Sequence, residues 1–497
     1  MERPMAVEHF FTLMMENRSF DHLLGFCNNP AIDGTSTTAR VLVDSGTTTA
    51  AISDDAVDRM NDIDHEYPAV RRQLHAPADS DDSPVTMQGF YLANGAEALR
   101  CFPATAPETG VLRLLAGEYC LLQRWFSSMP GPTWPNRFFV HAATSGGLDN
   151  SPGSLTSLEA VALHDLGFDF QHGTIYDWLD KAGIGWRIYH DDLLPQALAI
   201  KGMGERFVDP DDDHFRWLKK LPDDLASGDM PPYVFIEPAY DAVNGFDNGN
   251  SQHASGTVSA GDALINWVYQ QIRTAPLWPR SALLILYDEH GGFFDHVPPP
   301  VCAAPGDDDR NHSRAAAPQQ CTFTRLGVRV PAVLVSPLVE QGTIVAAGAD
   351  GAEYDHSSVI RTLVDLFPPL ATALRTAGKT SLTERDRTAA SLAPLFTLAT
   401  ARDDDQPLLA MLKERPAAIA AAERMTDRVP GTGDTGPASG FLNGFTHLAA
   451  TVELARQKAS AAQALPIAEP SALASAGGAQ ALIRQLAARH PKLDGKS

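Results

Sequence analysis

The stretch Ser281-Ala-Leu-Leu-Ile-Leu-Tyr-Asp-Glu-His-Gly-Gly-Phe-Phe-Asp-His296 decides how the chain is read. Its apolar run, Ala282 to Leu286, has strand length and no polar alternation, the pattern of a strand covered on both faces in a parallel sheet between helices. The run stops at two carboxylates, Asp288 and Glu289, followed by His290 and the pair Gly291-Gly292. Open α/β sheets place their ligands beyond the carboxyl ends of such strands. Adjacent buried acids repel unless a cation offsets them, so a metal ion is the expected occupant. The glycines let the backbone turn sharply and approach whatever the carboxylates hold. The alternative is a solvated turn after a strand.

The same pattern occurs at the start of the chain. His9-Phe-Phe-Thr-Leu-Met-Met15 reads as a buried strand that runs into Glu16-Asn-Arg-Ser-Phe-Asp-His22. Glu16 and Asn17 offer a carboxylate and an amide oxygen, both suited to a hard divalent ion. Ser19 or Asp21 suits the cap of a following helix, and Arg18 an ion pair with a neighbouring acid. Asn28 to Asp55 lacks periodicity and reads as a long surface excursion. His65 follows in Asn61-Asp-Ile-Asp-His-Glu-Tyr67 as a candidate site residue.

A third chemical stretch is Met129-Pro-Gly-Pro-Thr-Trp-Pro-Asn-Arg137. Pro135 suits a first helical turn, with Phe138 to Thr144 continuing the helix and Gly146 ending it. Thr133 then faces free backbone N–H groups at a helix N-terminus, an arrangement that binds phosphate oxygens. From spacing alone, a simple helix cap is the preferred reading of Thr133. Further strands are expected at Gly185–His190, Pro232–Glu237 and Arg329–Pro337, with helices at Gly173–Ala182, Gly261–Thr274 and Val359–Phe367, the last capped by Ser357 or Ser358. The acidic runs Asp209–Asp213 and Asp307–Asp309 lack full calcium-loop spacing and read as solvated loops. Thr426 to Gly440 reads as a linker and Ala479 to Arg489 as helix. No internal repeat is present.

The 497 residues carry 39 basic and 61 acidic side chains, a formal charge of −22. That surface disfavours nonspecific nucleic-acid binding and gives no attraction to anionic membranes, leaving neutral or zwitterionic substrates. The five cysteines show no C-x-x-C spacing. Cys302 and Cys321 bracket a polar loop compatible with a bridge, and reduced thiols fit the count equally. The N-terminus lacks the order of a signal peptide and no apolar run reaches transmembrane length, so a soluble protein is expected, cytoplasmic as written or exported without a leader or after losing one.

Acids, amides and histidines at strand ends, with a hydroxyl at a helix start, argue for metal-assisted displacement at phosphorus, with sulfur as the nearest alternative. The stretches Glu16–His22, Thr133–Arg137, Asp288–Val297 and Asp355–Ser358, in this order, resemble the bacterial and plant phosphoesterase family that includes non-specific phospholipases C and a bacterial acid phosphatase. The resemblance implies an alkaline-phosphatase-like three-layer α/β sandwich with a largely parallel central sheet. Residues 1–400 would form this catalytic domain, and 401–497 a mostly helical C-terminal extension with its linker near 426–440. By the same resemblance, Glu16, Asn17, Asp288 and Glu289 hold one divalent metal ion, whether calcium, magnesium, manganese or zinc. Thr133 becomes the nucleophile. His65, His253, His290 and His356 bind phosphoryl oxygens or protonate the leaving group. Relatives often carry proline after the histidine matching His253, where this chain has Ala254. The implied activity is a phospholipase C that releases diacylglycerol and a phosphorylated head group, phosphatidylcholine first among its substrates, with peripheral membrane contact. The rivals are a phosphomonoesterase of soluble phosphate esters and a non-catalytic surface-binding protein that keeps the fold.

Overall fold

The computed structural model describes residues 6–76, 83–153, 167–242, 245–311, 321–348 and 351–420, together with 445, 446, 448, 449, 452 and 481. The linker expected at 426–440 and the helix expected at 479–489 lie outside these residues, apart from Ala481.

The centre is an eight-stranded sheet. Its strands are β1 (His9–Met15), β4 (Cys120–Leu122), β5 (Trp186–His190), β6 (Phe215–Trp217), β7 (Tyr233–Glu237), β8 (Ser281–Tyr287), β9 (Ala332–Val335) and β10 (Thr343–Val345), in the order β10-β4-β9-β8-β1-β7-β5-β6. Among these strands β9 alone runs against the others, pairing antiparallel with β8 and β4. Every residue of β8 is buried, as is every residue of β1 after His9. Burial without alternation means that both faces are covered, as the apolar runs predicted. The covering helices form two mutually packed groups. One contains Gly110–Glu118, Leu221–Ser227, Val258–Thr274 and Gln406–Lys413, and the other Thr133–Ala142, Ile175–Ala182, Ser357–Leu366 and Pro368–Thr376. Helix, sheet and helix make the three layers expected of the α/β sandwich.

The excursion Asn28–Asp55 is not wholly irregular, because β2 (Arg40–Leu42) and β3 (Thr49–Ala51) pair as an antiparallel ribbon. Val41 and Ile52 bury into a second apolar cluster with Val70, Phe90 and Phe294, and that burial holds the ribbon in place. Phe445, Leu448, Ala449 and Val452, at helical spacing, are buried in the main core. Phe445 lies against Trp134 and Tyr240, at 5.7 and 5.5 Å between ring centres. It therefore serves packing in this structure. All five cysteines are free thiols.

Candidate active site

The parallel pairing of β1 with β8 positions the acids. Met15 lies opposite Tyr287 and the Asp288 amide donates to the Met15 carbonyl at 3.1 Å. The next residues on each strand, Glu16 and Asp288, therefore leave the sheet side by side, followed by Asn17 and Glu289. Gly291 and Gly292 both have positive φ, 63° and 79°. A Cβ at Gly291 would come within 2.3 Å of the Asn17 carbonyl oxygen. The close approach expected of these glycines is thus an approach to the other half of the acid set.

All four residues are fully buried. The Glu16 carboxylate has no more than the Ser251 side chain beside it, and neither end of the Asn17 amide nor Glu289 Oε1 has a hydrogen-bond partner. Burial and the Asp288 charge hold the Glu16 carboxyl well above its usual range. Burial also raises Asp288 to about 7, against the pull of Arg137. Glu16 and Asp288 are pushed up even with the Arg137 guanidinium beside them, the response of a buried acid set that a cation would stabilise. Orphaned oxygens and raised acids together fit these residues to a metal ion.

Thr133 is the first residue of the helix Thr133–Ala142, and Pro132 occupies the cap position without a side-chain bond. The Thr133 hydroxyl is buried and makes no hydrogen bond. It is therefore not the cap that spacing favoured. The turn before it is gripped by Asn136, whose amide donates to the carbonyls of Met129, Gly131 and Pro132 at 3.2, 2.9 and 3.1 Å. Its oxygen accepts the Met129 amide at 3.0 Å. The helix ends at Ala143 in the left-handed region, three residues before Gly146.

The four histidines are not equivalent. His356 donates from Nε2 to the Asp288 carbonyl at 2.6 Å and accepts the Trp125 indole N–H on Nδ1 at 3.2 Å. Burial lowers it to about 3. With both nitrogens engaged it supports Asp288, and its one ring proton is committed to that carbonyl. It also takes the helix cap position expected for Ser357 or Ser358, while Asp355 accepts the Ser357 amide at 2.8 Å. His290 donates from Nε2 to Gln73 at 2.6 Å, and its Nδ1 lies 3.5 Å from Glu289. His253 accepts the Ser255 amide at 3.2 Å, stacks on Phe246 at 3.6 Å and is lowered by burial to about 4. Its place is fixed by Arg18, which donates to the carbonyls of Gln252 and His253 at 2.8 and 3.3 Å. Arg18 thus binds backbone where an acidic partner was expected. His65 donates from Nδ1 to the Ile63 carbonyl at 2.7 Å, which leaves Nε2 3.6 Å from Glu289 Oε1. Burial opposes its charge, but Glu289 and Asp62 outweigh it and raise His65 to about 10. Of the four histidines it is the one whose proton the neighbouring acids favour.

Three contributors have no role assigned from the sequence: Arg137, Asp62 and Gln73. Arg137 lies in the same motif as Thr133, so its position was visible. Asp62 lies 3.8 Å from His65 and 3.7 Å from His253, and Gln73 sits on a helix remote in sequence from His290. The acid at the end of β7, Glu237, is consumed structurally: it accepts the Gln196 and Ala197 amides and the Tyr240 hydroxyl.

A separate group, Asp21, Asp295 and His296, brings three potential metal-donor atoms within 4.8 Å of one another. A cation already sits there. Arg329 Nε lies 3.1 and 3.2 Å from the two Asp295 oxygens, and Nη2 lies 3.1 Å from Asp21.

Residues 7–368 match the model of the Phosphoesterase family, so the chain belongs to that family and is a hydrolase acting on phosphoric esters. It is 35% identical over 377 residues to non-specific phospholipase C1 of Arabidopsis thaliana, covering 73% of this chain and 67% of the relative. It is 26% identical over 409 residues to a non-hemolytic phospholipase C of Pseudomonas aeruginosa, covering 73% of this chain and 54% of the relative. Among solved structures, a protein in the alkaline phosphatase superfamily from Vibrio parahaemolyticus superposes with a TM-score of 0.29 at 14% identity, covering 53% of this chain and 61% of that one. Among the described residues no helix is long and apolar enough to cross a membrane.

Proposed function

We propose that the protein is a phospholipase C, cleaving glycerophospholipids to diacylglycerol and a phosphorylated head group. The observation that carries the reading is Thr133: a buried hydroxyl with no hydrogen bond, at a helix start, on a helix tied to Asp288. The relatives named as phospholipases C supply the substrate class, and the charge of −22 favours a zwitterionic lipid such as phosphatidylcholine over an anionic one.

Glu16, Asn17, Asp288 and Glu289 would hold one divalent ion, which would polarise the phosphoryl group and favour the ionised form of a hydroxyl beside it. An all-oxygen donor set favours calcium, magnesium or manganese, and the neighbouring histidines would admit zinc. Thr133 Oγ, entering as the alkoxide that such an ion would stabilise, would attack phosphorus and form a phosphothreonine as the bond to the diacylglycerol oxygen breaks, and cleavage of the phosphothreonine would return the alkoxide. Free N–H groups at the start of its helix face the charge that develops on the phosphoryl oxygens. His65, with Asp62 3.8 Å from one ring nitrogen and Glu289 3.6 Å from the other, would give its proton to the departing diacylglycerol oxygen. The neutral His65 then takes a proton from the water that cleaves the phosphothreonine, and the cycle closes.

The deciding experiment incubates the metal-replete protein with a panel of phospholipids and with an aryl phosphate, and identifies the products. Diacylglycerol from phosphatidylcholine is expected. Turnover of the aryl phosphate with lipid cleavage at background would replace this reading with a phosphomonoesterase, and no turnover of either would favour a binding protein.

A further inference from the structure

Arg137 lies one turn after Thr133 on the same helix face, since residues four apart stack above one another. It is fully buried. Its Nε donates to Asp288 Oδ2 at 3.0 Å, and its Nη2 reaches the carbonyls of Met14 and Met15 at 3.3 Å each. The guanidinium lies 5.0 Å from the centre of the Tyr240 ring. One planar group therefore touches the helix of the nucleophile, the end of the strand leading to Glu16 and Asn17, and the first carboxylate after β8. Asp288 is held from two other sides as well. Its second oxygen accepts the Glu289 amide at 2.7 Å, and its carbonyl accepts His356.

We infer that Arg137 is a positioning residue for phosphoryl transfer, a strut that fixes the Thr133 hydroxyl relative to the acids of both strands. The inference rests on the proposed reaction, in which those acids hold the metal ion. Burying an arginine is costly, and an arginine needed only to neutralise Asp288 would not also have to span two strand ends. Lysine can supply the charge at this place, but its single head cannot reproduce the planar fork that meets Asp288 and two carbonyls together.

The test compares wild type with Arg137→Lys and Arg137→Gln in three measurements: thermal melting, Mn²⁺ affinity by titration calorimetry, and turnover of phosphatidylcholine and an aryl phosphate. Two variants are made because either alone can misfold, and any variant with a cooperative melt near wild type is read. Supporting partners of metal ligands typically contribute ~10–100-fold, so Mn²⁺ affinity and kcat are both expected to fall by that factor while KM stays near wild type. A well-folded variant with wild-type Mn²⁺ affinity and kcat overturns the inference. So does a rise in KM at unchanged kcat, which would make Arg137 a substrate-binding group. Loss of the cooperative melt in both variants would assign Arg137 to the fold and likewise overturn it. If wild type itself neither binds Mn²⁺ nor turns over either substrate, the proposed reaction fails instead, which is a separate outcome.

Discussion

The chain leaving β1 and the chain leaving β8 meet twice, and each meeting buries acids. At the first, Asp288 is paired with Arg137 and Glu289 Oε1 lies 3.6 Å from His65 without a hydrogen bond, while the Glu16 carboxyl has no ion pair and no more than the Ser251 side chain beside it. At the second, Asp21 and Asp295 meet Arg329, His296 donates to Asp21 at 2.7 Å, and the backbone amides of Asp21, His296 and Val297 also donate. Burial and strand origin are the same, yet one cluster is complete and the other lacks partners. A fold can keep buried charge only where something satisfies it, so the complete cluster reads as structure and the deficient one as the place of a ligand. Proximity alone would have chosen the reverse, because it is the complete group whose donor atoms lie within 4.8 Å.

The largest effect that can break this contrast is expected at Thr133, whose hydroxyl stabilises nothing in the structure. Thr133→Ala should leave the melting temperature near wild type and reduce kcat by at least ~10⁴-fold, the scale seen when a nucleophile is deleted. Activity within an order of magnitude of wild type would remove Thr133 from the mechanism. Next in size is Arg329→Gln, which strands two buried carboxylates in the complete cluster and should cost ~3–5 kcal/mol in denaturant unfolding. A loss below ~1 kcal/mol would mean that the cluster is not held by its arginine. Glu16→Gln probes the other side of the contrast with a smaller effect. Replacing a carboxyl that burial and Asp288 already hold well above its usual range should leave the metal-free protein as stable as wild type or slightly more so, while Mn²⁺ affinity falls ~100-fold or more. Destabilisation of the metal-free protein by this substitution would show that Glu16 is already satisfied without an ion.

The layered architecture was legible because burial on both faces of a strand leaves a plain trace, an unbroken apolar run that ends in polar residues. The runs before Glu16 and Asp288 carried that trace, and the strands lie where those runs predicted. The irregular excursion after Asn28 was less legible, since a three-residue strand such as Arg40–Leu42 is too short for its alternation to stand out. The site was visible as a set of residue types, but not as a set of roles. Spacing made Thr133 a cap, and what excludes the cap is the proline before it together with the grip of Asn136 on the turn. The histidines looked alike in sequence because their differences come from distant partners: Trp125 and the Asp288 carbonyl for His356, Gln73 for His290, Glu289 and Asp62 for His65. Hydrogen bonds of that separation leave no periodic signal.

The smallest effect sharpens the contrast through pH. Burial opposes the charge on His296, but the hydrogen bond and charge of Asp21, helped by Asp295, raise it to about 9, with Arg329 opposing and Asp33 at 3.1 Å on Nε2. A histidine raised in the folded state contributes stability that is fully present below its unfolded value near 6.5 and is lost as pH rises through the folded value. The stabilisation from His296 should therefore fade between about pH 6.5 and about pH 9. Asp295, raised by burial to about 6, completes most of its own change below that window. Other groups that titrate within it, such as Asp191 at about 8, are present in wild type and variant alike and cancel in the difference. Urea unfolding of wild type and His296→Gln in chelator should show wild type more stable by ~1 kcal/mol near neutrality, with the gap closing toward about pH 10. Parallel pH profiles for the two proteins would mean that the imidazolium does not complete the cluster. The charge balance at Asp21 and Asp295 would then rest on Arg329 alone, and the distinction between a satisfied and a deficient acid cluster would narrow to a single guanidinium on each side.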